Sequence, residues 1–328
     1  KTELDHYECR HGLGYTRLVG ALNGLEVELL FFVPPGEIVE IWKTTVRNRS
    51  DASRDVRLFS FVEFCLYEAL NDMSNLQRTL SIGEVEVEDG AIYHKTEYRE
   101  RRDHYTLFAA TAPVSGFDTS RDAFVGVHNG LHDPAVPLAG EARNSMTQGW
   151  NPIGSHQVDL HLGAGEETTF SFLLAYVEQG DEPKFDAPMV LNKKKGRELL
   201  ARYTPPEAVD AAFAALGDRW SDLLDVFQVE CPDPHAGRMA NIWNQYQCMA
   251  TFNLSRSASL FETGIGRGMG YRDSNQDLLG FVHLIPDRAR QRILDIAATQ
   301  NSDGSCFHQY QPLTKQGNAE VGADFIDR

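Results

Sequence analysis

From the start of the chain to about residue 180, apolar side chains recur at every second position. In the stretch 56–66, Val56, Leu58, Val62 and Phe64 share one face. Val158, Leu160 and Leu162 alternate with Asp159 and His161, and Phe170, Phe172, Leu174 and Tyr176 repeat the pattern. Val85 and Val87 alternate with Glu84, Glu86 and Glu88. A period of two marks strands with one buried face. Turn signals part the runs: PPGE at 34–37, NRSD at 48–51, EDG at 88–90 and GAGEE at 163–167. Short strands spaced by such turns predict antiparallel sheets packed face to face, a large sandwich. The glutamates at 84, 86 and 88 read as its solvated surface.

Near residue 190 the period changes. Residues 192–203, with KKKGRELLARY, predict a short helix. Pro205 and Pro206 open a long one, on which Val209, Phe213, Leu216, Trp220, Leu223 and Phe227 fall at helical spacing. That stripe reads as packing. Cys231-Pro-Asp-Pro-His then marks a boundary near 232. From 236 the pattern is helical again, with Ile242, Trp243, Tyr246 and Met249 on one face. Helices are predicted over 276–285 and 287–300, with Pro286 at the join and Ala289, Ile293 and Ile296 as the second stripe. Helix, polar loop, helix, polar loop is how an α/α toroid begins. Strands first and helices after predict segregated domains, an α+β multidomain chain.

Composition narrows the class. With 328 residues, 42% hydrophobic and 24% charged, the chain is globular and long enough for more than one core. A net charge of −16 disfavours nucleic acid as a partner. It leaves an anionic substrate open, since a local pair such as Arg267 and Arg272 can act against the overall field. Five scattered cysteines, Cys9, Cys65, Cys231, Cys248 and Cys306, form no CxxC pair. That pattern suits reduced thiols and a cytoplasmic location, not a disulfide framework or a zinc site. No apolar run reaches membrane-spanning length. The N-terminus, KTELDHYECRHG, lacks Met and is no signal peptide, so the chain reads as a fragment.

One polar stretch stands apart. Gly264–Asp277, GIGRGMGYRDSNQD, places glycines at 264, 266, 268 and 270 around Arg267, followed by Arg272, Asp273, Asn275, Gln276 and Asp277. Glycine permits close backbone approach, and the charged and amide groups are hydrogen-bonding tools. Two readings stand: a loop that opens a helix and lines a ligand site, or a glycine-rich surface turn. A nucleotide site fails, for no GK[ST] follows and no strand precedes in a βαβ unit. Sugars need several hydroxyls held at once beside an aromatic face. Arg267, Arg272 and Asp273 could supply the first, and Tyr271 and Trp243 the second. Asp273 alone reads equally well as the N-cap of the next helix. His308-Gln-Tyr-Gln is a second polar and aromatic cluster, in which a lone His is more often a satisfied hydrogen-bonding group than a base. His283, between Val282 and Leu284, reads as structural. Gln77 and Arg78 by themselves read as loop surface. No serine triad, Cys–His pair or metal-spaced cluster stands out.

At these residues the chain resembles a known family. RSASLFETGIGRGMGYRDSNQDLLGFVHLIPDRARQRILDIAATQ and DGSCFHQYQPLTKQGN are similar to the inverting disaccharide phosphorylases of glycoside hydrolase family 94, cellobiose phosphorylases among them. NIWNQYQCMATFN, HKTEYRERRDHY, FSFVEFCLYEA and NLQRTLSIGEVEVEDG match as well, so the resemblance covers nearly the whole chain. It implies a super-β-sandwich over 1–190 lacking its first segment, a helical linker over 191–233, and the first part of an incomplete (α/α)6 catalytic barrel over 234–328. The implied reaction is reversible phosphorolysis of cellobiose to α-D-glucose 1-phosphate and glucose, with inorganic phosphate as co-substrate and neither metal nor organic cofactor. The resemblance puts Arg267 and Asp273 on the glucose of the −1 subsite, with Arg272 bracing them. It puts Gln77 and Arg78 in a loop that reaches the active site of the other subunit of a homodimer. The family's general acid, an Asp in a Trp-Asn-Asp motif, is expected downstream of this chain. Where the family reads Phe-Asn-Asp-Asp-Pro, this chain reads Phe325-Ile326-Asp327-Arg328, so Asp327 is not assigned as the acid. Two alternatives remain: a phosphorylase or inverting glycosidase for another disaccharide on the same scaffold, and a non-catalytic carbohydrate-binding or dimerisation module.

Overall fold

The computed structural model describes residues 2–64, 84–95, 103–147, 149, 151–254, 269–311, 316–318 and 326–327. The chain divides into two compact units, Lys1–Gly217 and Asp218–Arg328.

The first unit is a sandwich of two antiparallel sheets. Strands β1 (His6–Gly12), β2 (Tyr15–Leu22), β3 (Leu25–Phe32) and β4 (Val39–Asn48) form a meander. They are followed by β5 (Arg54–Phe59), β6 (Val62–Glu63), β7 (Glu84–Glu88), β8 (Ala91–Lys95), β9 (His104–Ala110), β10 (Gly116–Ser120), β11 (Pro152–Leu162) and β12 (Glu167–Glu178). Among the described residues, the larger sheet runs β1-β2-β3-β4-β12-β9-β8-β7, and the smaller runs β10-β11-β5 with β6 also on β11. Two hairpins turn on dipeptides that tolerate the left-handed region: Asn23-Gly24, at φ 51° and 77°, and Asp89-Gly90, at φ 49° and 80°. That geometry matches the twist of the flanking strands.

The predicted alternation is what fills the interior. Val46, Ile92, Phe108, Phe170 and Phe172 of the larger sheet meet Val158 and Leu162 of the smaller, with Phe64 beside them. Each such side chain contributes roughly 1.5–3 kcal/mol when removed from water. Two histidines are built into this interior. His94 stacks on Phe64 at 4.7 Å, and His156 packs at 4.8 Å from Phe108 and 6.0 Å from Phe172. Short helices α1 (Arg121–Val125) and α2 (Ala135–Ala139) cover one end through Phe124, Val125 and Val136.

A small hairpin, β13 (Phe185–Ala187) with β14 (Val190–Leu191), leads into helices α3 (Lys194–Tyr203) and α4 (Pro206–Leu224). In α3, Gly196 lies under the Tyr105 hydroxyl, which accepts the Gly196 N–H at 3.0 Å. In the first part of α4, Phe213 packs edge-on against Tyr15 and Phe32. The expected face of α4 is largely real, with Val209 and Leu216 buried. The helix ends at Leu224, however, and Phe227 lies beyond it, half exposed.

The glutamates of β7 are not plain surface, contrary to the expectation from sequence. Glu86 is bonded to Lys193 at 2.5 Å and Lys95 at 2.9 Å, and accepts the Leu191 N–H at 2.9 Å. Arg197 grips Glu88 with two nitrogens at 2.7 and 2.9 Å. The outward face of β7 thus receives the start of α3.

The second unit is mainly helical among the described residues. It comprises α5 (Pro234–Arg238), a π-helical turn Met239–Trp243, α6 (Asn244–Leu254), α7 (Tyr271–Leu278) and α8 (Pro286–Ala297). Its core gathers Phe252, Leu278, Phe281, Leu284 and Ala289. Short strands accompany the helices: β15 (Met269–Gly270), β16 (Cys306–Phe307), β17 (Gln309–Gln311), β18 (Gln316–Asn318) and β19 (Ile326–Asp327). Two expected helices are shifted. The first begins five residues early, at Tyr271 and not 276, and residues 279–284 form turns. The second ends at Ala297, and Ile293 of its expected stripe is half exposed. Among the described residues no helix is long and apolar enough to cross a membrane.

Candidate functional site

The two polar clusters singled out in the sequence are brought together in the second unit. β15 pairs with β17, Met269 opposite Tyr310 and Gly270 opposite Gln309. The Tyr271 N–H then donates to the His308 carbonyl at 3.0 Å. The glycine-framed segment therefore enters α7 alongside the His308-Gln-Tyr-Gln strand, and β18 extends the same small sheet. Gln309 is buried and His308 half-buried. The loop before that strand is shaped by its own side chains, Asp303 Oδ1 accepting from the Ser305 hydroxyl at 2.6 Å and backbone N–H at 3.0 Å.

Gly270 is the N-cap of α7, without a side-chain cap, and Asp273 stands in the first turn. The capping role weighed for Asp273 is thereby excluded. Its carboxylate is placed where the partial positive charge of a helix start favours an anion. Arg272 Nε lies 3.5 Å from Asp273 Oδ1; the arginine side chain is 74% exposed and the aspartate 34%. The pair is long and wet, so it contributes little to stability. It leaves a guanidinium and a carboxylate side by side at the surface of the unit, two groups able to bridge vicinal hydroxyls. Asn275 Nδ2 donates to the Tyr271 carbonyl at 2.8 Å and so closes the first turn. Ser274 and Leu278 face inward. Farther along, the Cys248 thiol is pushed up by burial and then by Asp277.

Trp243 occupies the π-helical turn and is 44% exposed, its ring edge-on to Tyr246 at 6.2 Å. Tyr246 in turn packs on Trp220 at 5.5 Å. His283 packs edge-on against Phe227 at 5.5 Å, in keeping with a structural role. Arg267, Gln77 and Arg78, with the glycines at 264, 266 and 268, lie outside the described residues. Sequence reasoning missed the pairing of β15 with β17. Two-residue and three-residue strands leave no periodic signal to find. Among the described residues no three His, Cys, Asp or Glu side chains converge as metal ligands would.

Comparison with known proteins places both units. Residues 1–206 match the glycosyl hydrolase 94 supersandwich domain, and residues 219–325 the glycosyl hydrolase 94 superfamily catalytic domain. The N,N'-diacetylchitobiose phosphorylase of Vibrio proteolyticus is 31% identical over 307 residues, which is 93% of this chain and 36% of that protein. The solabiose phosphorylase of Paenibacillus borealis is 27% identical over 314 residues, 95% of this chain and 38% of that protein. The chain thus spans a little over a third of the length of these relatives. Among solved structures, a bacterial glucoamylase complexed with acarbose aligns at TM-score 0.49 and 11% identity, over 76% of this chain and 32% of that one.

Proposed function

Since the chain belongs to glycosyl hydrolase family 94, we propose that the intact protein is an inverting disaccharide phosphorylase, cleaving cellobiose with inorganic phosphate to α-D-glucose 1-phosphate and glucose. The observation that supports this most is the order of the matched domains, supersandwich and then catalytic, with Arg272 and Asp273 presented at a strand-to-helix junction inside the second. One carboxylic acid protonates the glycosidic oxygen. Phosphate attacks the anomeric carbon from the opposite face and inverts it. Phosphate is itself the nucleophile, so no second carboxylate is needed to activate water.

In this reading Asp273 accepts hydrogen bonds from hydroxyls of the sugar undergoing attack, Arg267 shares that sugar, and Arg272 braces Asp273. Gln77 and Arg78 serve the active site of the other subunit of a homodimer. None of the carboxylates of this chain is assigned as the general acid. No cofactor is required by the scheme. A cytoplasmic location fits the cysteine pattern and the supply of phosphate.

A second substrate has an observation of its own: the relatives at 31% identity carry N,N'-diacetylchitobiose in their names. The test is to incubate the intact protein with phosphate and, in turn, cellobiose, N,N'-diacetylchitobiose and solabiose, following α-sugar 1-phosphate by phosphorus NMR. Phosphate-dependent release of α-D-glucose 1-phosphate from cellobiose is expected. Release only from another disaccharide would replace the substrate. Cleavage that proceeds equally without phosphate would make the protein a hydrolase, and sugar binding without cleavage would favour a carbohydrate-binding module.

A further inference from the structure

We propose that Gly270 is a positioning residue for Asp273, and that it is glycine for the room this leaves and not for backbone freedom. The inference rests on the reading of Asp273 as a sugar contact. Gly270 has φ −64° and ψ 135°, values that any residue adopts. Its backbone does not require glycine. The space above its Cα does. A Cβ at position 270 would stand 3.2 Å from Asp273 Cβ, 3.3 Å from Oδ2 and 3.4 Å from Cγ. Contacts that short oblige one partner to give by a few tenths of an ångström.

The surroundings decide which partner gives. Before and after Gly270 the backbone is held by the same strand: Met269 and Gly270 pair with Tyr310 and Gln309, and the Tyr271 N–H bonds the His308 carbonyl at 3.0 Å. Asn275 fixes the Tyr271 carbonyl on the other side of the turn, at 2.8 Å. Against this paired backbone stands the Asp273 side chain, whose Cβ makes the shortest of the three contacts and is fixed to the first turn of α7. Asp273 Oδ1 is the oxygen nearer Arg272, at 3.5 Å; Oδ2 is the one over Gly270. A methyl group on residue 270 therefore presses on Asp273 at its Cβ as well as its carboxylate, and the first turn of α7 must give by a few tenths of an ångström and carry the carboxylate with it. A charged acceptor that must meet a sugar hydroxyl within a narrow range of distance and angle loses its alignment by such a shift.

Two substitutions separate this role from helix capping. Gly270→Ala adds the Cβ and weakens the N-cap. Gly270→Ser adds the same Cβ but is a good N-cap. In the intact protein both are expected to raise the KM for the disaccharide that it phosphorolyses by about fivefold or more. The KM for phosphate should stay within about twofold, and Tm should fall by no more than about 4 °C. A crystal structure of Gly270→Ala carries the test apart from turnover: Asp273 Oδ2 should move while the β15–β17 pairing persists. An unmoved carboxylate overturns the proposal, as does a Gly270→Ser enzyme with wild-type KM values. So does an equal change in both KM values together with a large loss of Tm. Asp273→Ala distinguishes the two readings. Wild-type kinetics in that variant would remove Asp273 from the sugar site altogether. An impaired Asp273→Ala beside a wild-type Gly270→Ala would remove the positioning role alone.

Discussion

Asp273 is two-thirds shielded and sits in the first turn of a helix whose cap is a glycine, where the partial positive charge of the helix start favours its carboxylate. Asp273→Ala and Arg267→Ala in the intact protein are expected to lower turnover at least tenfold. A charged hydrogen bond that strengthens in the transition state is worth about 1.5–3 kcal/mol. Steady-state kinetics beside a thermal melt checks this; near wild-type rates for both would remove them from the site. The polarity of this segment was legible because charge and glycine density need no partner to be seen. Its geometry was not, because the strand opposite Gly270 comes some forty residues later. The buried histidines, His94 and His156, were not legible in the sequence, for nothing in a period-two pattern tells a buried polar residue from an outward one. His156 is held well below the ordinary histidine value, to about 4, by burial, and His94 to about 3, by burial and then by the neighbouring charges of His104 and Lys184. Between the unfolded value near 6.5 and these folded values, the unfolded chain takes up protons that the folded sandwich refuses. Their contribution is complete above about pH 6.5 and is lost as pH falls, through about 4 for His156 and about 3 for His94. Melts from pH 7 to 4 should show Tm falling over that window. A His156→Phe variant that stays folded should show a shallower fall, and an unchanged slope would acquit His156.

At the scale of the element, β7 shows where periodicity misleads. Alternating glutamates and valines predict a half-buried strand, and β7 is one. The same pattern is silent about what comes to cover the polar face. Here it is the entry to α3. Lys193 and Lys95 are each 8% exposed and share Glu86. Burial works against the Glu86 charge, and Lys193, the Leu191 N–H and Lys95 outweigh it, so its carboxyl sits below the usual range. Glu86→Ala would leave two buried ammonium groups short of their shared anion. Each keeps a second carboxylate, Glu84 at 3.2 Å for Lys95 and Glu88 at 3.6 Å for Lys193, so a loss of about 1.5–3 kcal/mol is expected, the size of a hydrogen bond to a charged group. Urea unfolding of the chain measures it, and a loss below about 1 kcal/mol would mean the pair is solvated after all. Helix α4 makes the same point with apolar residues. Its stripe was read correctly from Val209 to Leu223, but helix spacing alone could not show that the helix stops before Phe227.

For the whole molecule, the sequence reading of strands first and helices after matches the described architecture, and each unit has a core of its own. The second unit nevertheless leaves Trp243, Phe227, Leu279, Ile293 and Leu294 substantially exposed. At roughly 25 cal/mol per Å², apolar faces left wet forgo several kcal/mol, comparable with the net stability of a domain. Limited proteolysis of this 328-residue chain, read by mass spectrometry, should therefore cut beyond residue 217 and spare the sandwich. A chain that stays intact past residue 236 and monomeric would mean those faces are covered in some other way. The larger sheet carries a different consequence, in time. β4 lies between β3 and β12, and Arg47 and Glu167, which meet across the β4–β12 ladder, are 120 residues apart. Ribosomes add roughly 5–20 residues per second, so a nascent β4 waits roughly 6 to 24 s for its neighbour. Through that interval the meander β1–β4, closed by local turns, presents a bare edge in mid-sheet. Lys43 and Arg47 on that edge are the kind of charge that discourages pairing with another chain.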